Sequence, residues 1–304
     1  MLTNRIGNTS LVNSSDVIKN SDVSDYVELL KPRVMSLAIF TAIMGMLLAP
    51  SLPHPVLAIF SIIAIGAGAG AAGAINMWYD RDIDALMERT KLRPLPSNRV
   101  DPSEAITLGI VLSLFSVLLL SFSANYIASG LLLSSILFYI FIYTMWLKRT
   151  TAQNIVIGGA AGALPPVIGW FAASSALSFL PIILFLIIFL WTPPHFWALC
   201  LYRSGDYKKA RIPMLTVVSG EHKTRLYILL YSIALVTVVS FPWLFGYLGL
   251  IYMIFSSLLS FVFLYFAWCC IKKHKGSEPR LFKYSILYLF LLFLLMPVDK
   301  FLYF

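Results

Sequence analysis

Apolar residues in this chain run in long unbroken stretches, not in the three-to-four spacing of a surface helix or the alternation of a half-buried strand. Nine stretches stand out, at roughly 34–52, 55–77, 105–122, 126–146, 154–173, 178–200, 226–245, 247–271 and 283–298. Several exceed the ~18 residues that mark a bilayer-spanning helix. The pattern predicts an all-α, polytopic membrane protein with nine transmembrane helices. Composition agrees. The 304 residues are 59% hydrophobic and 12% charged, roughly half the charged fraction of an ordinary soluble domain.

Charge then sorts the loops. Of 23 Lys and Arg residues, four lie in the N-terminal arm through Arg33, and five, two, six and five follow the second, fourth, sixth and eighth stretches. Lys300 alone lies elsewhere, and the loops around His54, Asn125, Ser175 and Gly246 carry no charge. Short loops rich in Lys and Arg stay inside, so the N-terminus and every long loop are expected on the cytoplasmic side. The +9 balance is mostly this signature, not a footprint for nucleic acid. Residues 1–26 are polar and acid-bearing, which fits neither a cleavable signal nor a mitochondrial transit peptide. They read as a disordered cytoplasmic arm ahead of a membrane domain at 27–304. Cys200, Cys269 and Cys270 have no paired-ligand spacing and read as packing residues.

Chemistry gathers where the second stretch ends, in "NMWYDRDIDALMERTKLRPLP", Asn76–Pro96. Asn76, Asp80 and Asp84 are four apart, and each step of four turns a helix by only about 40°, so a continuing helix would align them on one face. Asp82 points away. Upstream, Gly66, Gly70 and Gly73 in "GAGAGAAGA" allow neighbouring helices to approach closely. A second mouth, "HFWALCLYRSGDYKKARIPML", follows the sixth stretch and reads as a degenerate repeat. Tyr202 and Asp206 match Asn76 and Asp80, while Arg211-Ile212-Pro213 answers Arg93-Pro94-Leu95. The second and sixth spans run in the same direction, so both mouths open on one side of the membrane and could face one cavity.

Charged loops are often only solvated surface. Two related acid-bearing mouths at one end favour a site. Oxygen ligands without His or Cys select a hard cation, and Mg²⁺ typically takes one or two carboxylates plus substrate phosphates. Arg81, Lys91, Arg93, Lys148, Arg149, Arg203, Lys208, Lys209 and Arg211 would meet the remaining phosphate charge. Asn76, Asp80, Asp84 and Asp206 are therefore the candidate metal-binding and catalytic residues, and a diphosphate with a lipid tail is the candidate substrate.

The first mouth closely resembles the first aspartate motif of the UbiA superfamily of intramembrane prenyltransferases. "YTMWLKRTTAQNIVIGGAAGALPPVIGW", Tyr143–Trp170, and "WTPPHFWALCLYRSGDYKKARIPML", Trp191–Leu215, are similar to the protohaem-farnesylating branch of that superfamily. The likeness covers about residues 27–298. Quinone-making relatives generally carry two acids in the second motif, where this chain has Tyr202 and Asp206. Ala152 and Thr216 stand where proline is expected, and neither change removes a metal or phosphate ligand.

The resemblance implies a nine-helix bundle around a central cavity in a bacterial inner membrane. It implies transfer of farnesyl from farnesyl diphosphate to the 2-vinyl group of haem B, with addition of water. The product is haem O, and a haem A synthase is a possible partner. Asp206 would serve a second Mg²⁺ or its water, and Trp78, Tyr79, Tyr143 or Tyr202 could face an allylic cation. His195 and Tyr202 are the haem-side candidates, since His is a usual axial ligand. Against this, His195 can simply fill a proline-broken turn, and Lys148 and Arg149 can be plain membrane anchors. A related prenyltransferase with an aromatic-acid or lipid acceptor is the nearest alternative. A transporter would instead place ionisable residues at mid-membrane depth, and a purely structural subunit would leave both mouths unexplained.

Overall fold

In the computed structural model, which describes residues 21–303, all regular elements of the described residues are helical. A short helix α1 (Val23–Leu29) meets α2 (Pro32–Leu48) at 56°. Then come α3 (Pro55–Tyr79), the one-and-a-half-turn α4 (Arg81–Leu86) and α5 (Pro102–Ser123). Next are α6 (Tyr126–Thr150), α7 (Asn154–Ala173) and α8 (Leu180–Tyr202), followed by the short α9 (Ser204–Lys209). The chain ends in α10 (Gly220–Leu244), α11 (Leu250–Ile271) and α12 (Ser277–Tyr303). Eight of these are long and apolar enough to cross a membrane, and the bent pair α1–α2, taken as one broken span, makes nine.

The uncharged turns start helices. His54 accepts the Val56 N–H, and Asn125 accepts that of Ala128, so polar side chains satisfy amides that the first turn leaves unpaired. Proline at the first helical position of α2, α3 and α5 suits the same register. Neighbouring spans form a closed ring in chain order, with α12 returning to α2, and α2 also packs along α7 inside the ring. At that inner crossing a Cβ on Gly45 would lie 2.0 Å from the Pro166 carbonyl oxygen, and one on Gly169 1.9 Å from that of Ala42. Only glycine permits this backbone-to-backbone contact. The GGAAGALPP segment breaks α7 at Leu164–Pro165.

Three boundaries differ from the hydropathy pattern. α2 ends at Leu48, ahead of Pro50 and Pro53, and is too short to cross without α1. Residues 23–26, expected in the arm, already belong to α1, while 1–20 lie outside the described residues. α12 continues through Pro297 to Tyr303, because its two far-end charges are bound by neighbouring helix ends. Asp299 accepts the Gly249 and Tyr252 N–H groups at the start of α11. Lys300 donates to the carbonyls of Leu47, Leu48 and Ala49 at the end of α2. The one cation at the wrong end of the charge pattern is thus a helix cap.

Candidate active site

α3 carries Asn76 on its last turn and ends at Asp80, after which α4 begins at Arg81. The Asp84 N–H still donates to the Asp80 carbonyl at 2.8 Å. The four-residue spacing therefore survives the break, and Asn76, Asp80 and Asp84 are all buried, the two aspartates to 1% exposure. The Asn76 amide nitrogen donates to Asp80 Oδ2 at 2.8 Å and to Thr144 Oγ1 at 3.0 Å. Its oxygen accepts from Lys31 Nζ. Lys148 Nζ donates to the same Asp80 Oδ2, and Arg93 Nη1 donates to Asp84 Oδ2 at 2.6 Å.

Asp80 Oδ1 is different. It is buried without a hydrogen bond and forms an ion pair with Arg149 Nη2 at 3.6 Å. A buried carboxylate oxygen without a hydrogen bond is costly, and its ion pair with Arg149 is a loose one. Arg149 itself forks onto Asp82 at 2.7 and 2.8 Å and lies 4.7 Å over the Tyr79 ring. That contact holds the exposed Asp82 below the usual carboxylate range. Arg93, Lys148 and Arg149 thus meet the three carboxylates, and Lys31, held on the Asn76 amide, is the additional basic group that suits an anion.

The loop that supplies Arg93 is folded back by the Thr90 hydroxyl, which donates to the Asp84 carbonyl at 2.8 Å. Thr144 comes from a π-helical stretch of α6, Phe138–Leu147, and its hydroxyl donates to the Tyr139 carbonyl at 2.8 Å. Such a register shift re-aims side chains within a helix. The Tyr139 and Tyr143 rings lie 5.3 Å apart in the same stretch.

The other basic candidates are not gathered around the carboxylates. Arg81 donates to the Trp78 carbonyl and covers its ring, and Lys91 pairs with Glu88 in the open. Arg203 lies over Tyr202, whose exposure of 55% keeps it from the buried role that Asn76 plays in the first mouth. Lys208, Lys209 and Arg211 are exposed. Asp206 is half-buried in α9 and makes no ion pair among the described residues. The two mouths do sit together. Ile83 and Met87 beside the first pack in one cluster with Tyr207, Ile212 and Met214 of the second. Among the described residues no three acidic, His or Cys side chains form a metal cage of their own.

His195 is buried between α8 and α12, with Nδ1 2.6 Å from the Ser285 hydroxyl. Its ring is stacked between Trp191 at 4.3 Å and Phe282 at 4.7 Å. Two apolar grooves, of about 220 and 300 Å³, open between α10 and α11 and between α11 and α12, and neither is lined by residues of the mouths.

The sequence pattern missed Lys31 and Thr144. Lys31 was one more cation at the positive end of the chain; its only signal is the Lys-Pro step at the start of an apolar run. Thr144 was hidden inside one.

The UbiA prenyltransferase family model matches residues 38–294. Protoheme IX farnesyltransferase of Afipia carboxidovorans is 56% identical over 288 residues, covering 93% of this chain and 92% of that protein. The chain belongs to the UbiA prenyltransferase family. Protoheme IX farnesyltransferase of Granulibacter bethesdensis is 48% identical and covers 96% of both chains. Among solved structures, a digeranylgeranylglyceryl phosphate synthase superposes with a TM-score of 0.75 at 20% identity, covering 91% of this chain and 98% of its own. A UbiA homolog from Archaeoglobus fulgidus bound to DMAPP and Mg²⁺ gives 0.65 at 16% identity, covering 90% and 99%. These distant structures bear out the all-helical membrane fold. This chain is therefore an integral membrane prenyltransferase.

Proposed function

We propose that this enzyme transfers the farnesyl group of farnesyl diphosphate to the 2-vinyl group of haem B, with addition of water, to give haem O. The observation that carries the reading is the 56% identity, over nearly the whole chain, to a protein named for that activity. The single acid of the second mouth agrees with it.

The residues fit Mg²⁺ held jointly with substrate. The donors are all oxygen: Asp80 Oδ1, Asp84 and the Asn76 amide oxygen. Since the protein offers no complete cage, phosphate oxygens would supply the rest. The bound ion would act as a Lewis acid on the departing diphosphate. Asn76, Asp80 and Asp84 orient the head group. Lys148, Arg93 and Lys31 exchange their carboxylate and amide partners for phosphate oxygens as negative charge builds there. Asp206 and the exposed Arg203, Lys208, Lys209 and Arg211 form the outer rim, where diphosphate or haem propionates arrive.

In the reaction the allylic C–O bond breaks with its electron pair leaving on diphosphate. The vinyl π electrons form the new C–C bond. The resulting cation takes up water and loses a proton. Tyr139 and Tyr143 present aromatic faces beside Asp80 that suit the allylic cation. His195, with Nδ1 held by Ser285, keeps Nε2 for haem iron. The mouths face the cytoplasm of a bacterial inner membrane, a reading supported by the one-sided Lys and Arg distribution.

The test is to incubate purified protein with haem B, farnesyl diphosphate and Mg²⁺ and to seek haem O by mass spectrometry. Absence of haem O, with prenylation of 4-hydroxybenzoate instead, overturns the acceptor assignment.

A further inference from the structure

α1 is the bent-off half of the first span, and it is firmly tethered at the mouth. Arg99 does the tethering. Its Nη1 donates to Asp25 Oδ1, and its Nη2 donates to Glu28 Oε2 at 3.0 Å and to the Leu92 carbonyl at 2.8 Å. Its Nε donates to Ser97 Oγ at 3.0 Å. One guanidinium thus joins α1 to the loop that carries Arg93. Tyr26 adds a bond to Glu104 at 2.7 Å, and Leu29 packs with Met77, Leu95, Val100 and Ala105.

Asp25 is a buried acid that the chemistry leaves unused, and its cation partner is Arg99. Two residues beyond α1 the chain turns through Lys31 in the left-handed region, φ 55 and ψ 57, which produces the 56° bend into α2. That turn sends the Lys31 side chain along α3, past Gly73, to the Asn76 oxygen. A lysine in this backbone conformation is held by its surroundings, and α1 is what holds it.

We propose that Lys31 is a further cation of the head-group site and that Arg99 is its positioning residue, acting through α1 as a strap across the mouth. The inference rests on the diphosphate reading given above. Without Arg99, Asp25 is a buried charge without its partner. α1 then lifts to hydrate Asp25, and Lys31 is withdrawn from Asn76. Arg99 never touches substrate, so its loss weakens head-group binding without altering the bond-breaking step.

The experiment measures binding of farnesyl thiodiphosphate, a non-reacting analogue, with Mg²⁺ by calorimetry on the full-length protein in detergent. Turnover is measured in parallel. Lys31→Met weakens binding by about tenfold or more, the worth of a charge-assisted hydrogen bond. Arg99→Gln weakens it less, by roughly three- to tenfold, through KM with kcat little changed. On a Lys31→Met background Arg99→Gln adds almost nothing, because both act through one side chain. Asp25→Asn added to Arg99→Gln removes the buried charge that drives α1 out and restores most of the lost affinity, a rescue that a simple folding defect of Arg99→Gln would not give. Effects of Lys31 and Arg99 that multiply, or wild-type affinity in Lys31→Met, overturn the strap. If the analogue fails to bind even the wild type, the diphosphate reading falls with it.

Discussion

Lys148 and Asn76 donate to one oxygen of Asp80 and leave its other oxygen buried with no hydrogen bond. The half-satisfied carboxylate explains how an acidic motif persists inside a greasy bundle. The protein's own cations neutralise Asp80 and Asp84, and the remaining deficit is reserved for something that arrives. Because Lys148 and Arg93 already neutralise Asp80 and Asp84, a free divalent ion would add positive charge to carboxylates that are already paired. A diphosphate gives those cations somewhere to go.

Metal and diphosphate should therefore bind cooperatively. Titrating Mn²⁺ by electron paramagnetic resonance, with and without inorganic diphosphate, should show at least about a tenfold gain in metal affinity, a coupling of ~1.4 kcal/mol. By linkage, Mn²⁺ should tighten diphosphate by the same factor. Equal Mn²⁺ affinity in both titrations would mean that the internal ion pairs place no constraint on the site.

Asp80→Asn should abolish turnover while leaving the fold intact. The change keeps the shape and the Asn76 contact but removes the charge that Lys148 balances. A loss of roughly 10²–10³-fold or more in kcat is expected for a group that organises transition-state charge. The exposed Asp82→Asn, which touches only Arg149 at the rim, should lose much less. Comparable losses in the two variants would show that the motif acts through bulk charge and not through the buried site.

Much of this site was legible in the sequence, for definable reasons. Asn76, Asp80 and Asp84 came from helical spacing, which survived the break at Asp80 because the backbone bond from Asp84 to Asp80 was kept. The nine spans came from run length. What the pattern could not carry was local backbone geometry. Lys31 enters through a left-handed turn, and Thr144 through a π-helical register shift. The repeat between the mouths also misled in one respect. Tyr202 matches Asn76 by position, yet α8 ends beside it and leaves it exposed under Arg203. The cap formed by Lys300 was invisible for a related reason: its partners are backbone carbonyls of another helix.

At the opposite end of the bundle Asp299 offers a test of structure alone. It is fully buried and satisfies two N–H groups that the first turn of α11 leaves unpaired. Asp299→Ala should lower stability by about 1–3 kcal/mol, the cost of stranding buried donors. Thermal unfolding in detergent would measure the loss. Turnover well below the transition should stay near wild type, because the residue lies at the end remote from the mouths. A variant of unchanged stability but reduced turnover would reverse the roles assigned to the two ends.

His195 joins the packing and the chemistry. Its ring is sandwiched between Trp191 and Phe282, and its Nδ1 is engaged with Ser285, so only Nε2 is left for a ligand. A hydrogen bond on the second ring nitrogen is the usual way a ligating histidine is oriented. If Nε2 meets haem iron, haem B added to wild-type protein should give the Soret band of a histidine-ligated haem. His195→Ala should lose that spectrum yet keep Mg²⁺-dependent binding of farnesyl thiodiphosphate. Ser285→Ala should retain ligation but broaden the band, since the ring is freed to turn. An identical spectrum in His195→Ala would confine the residue to bridging α8 and α12, and the sandwich alone would then account for its burial.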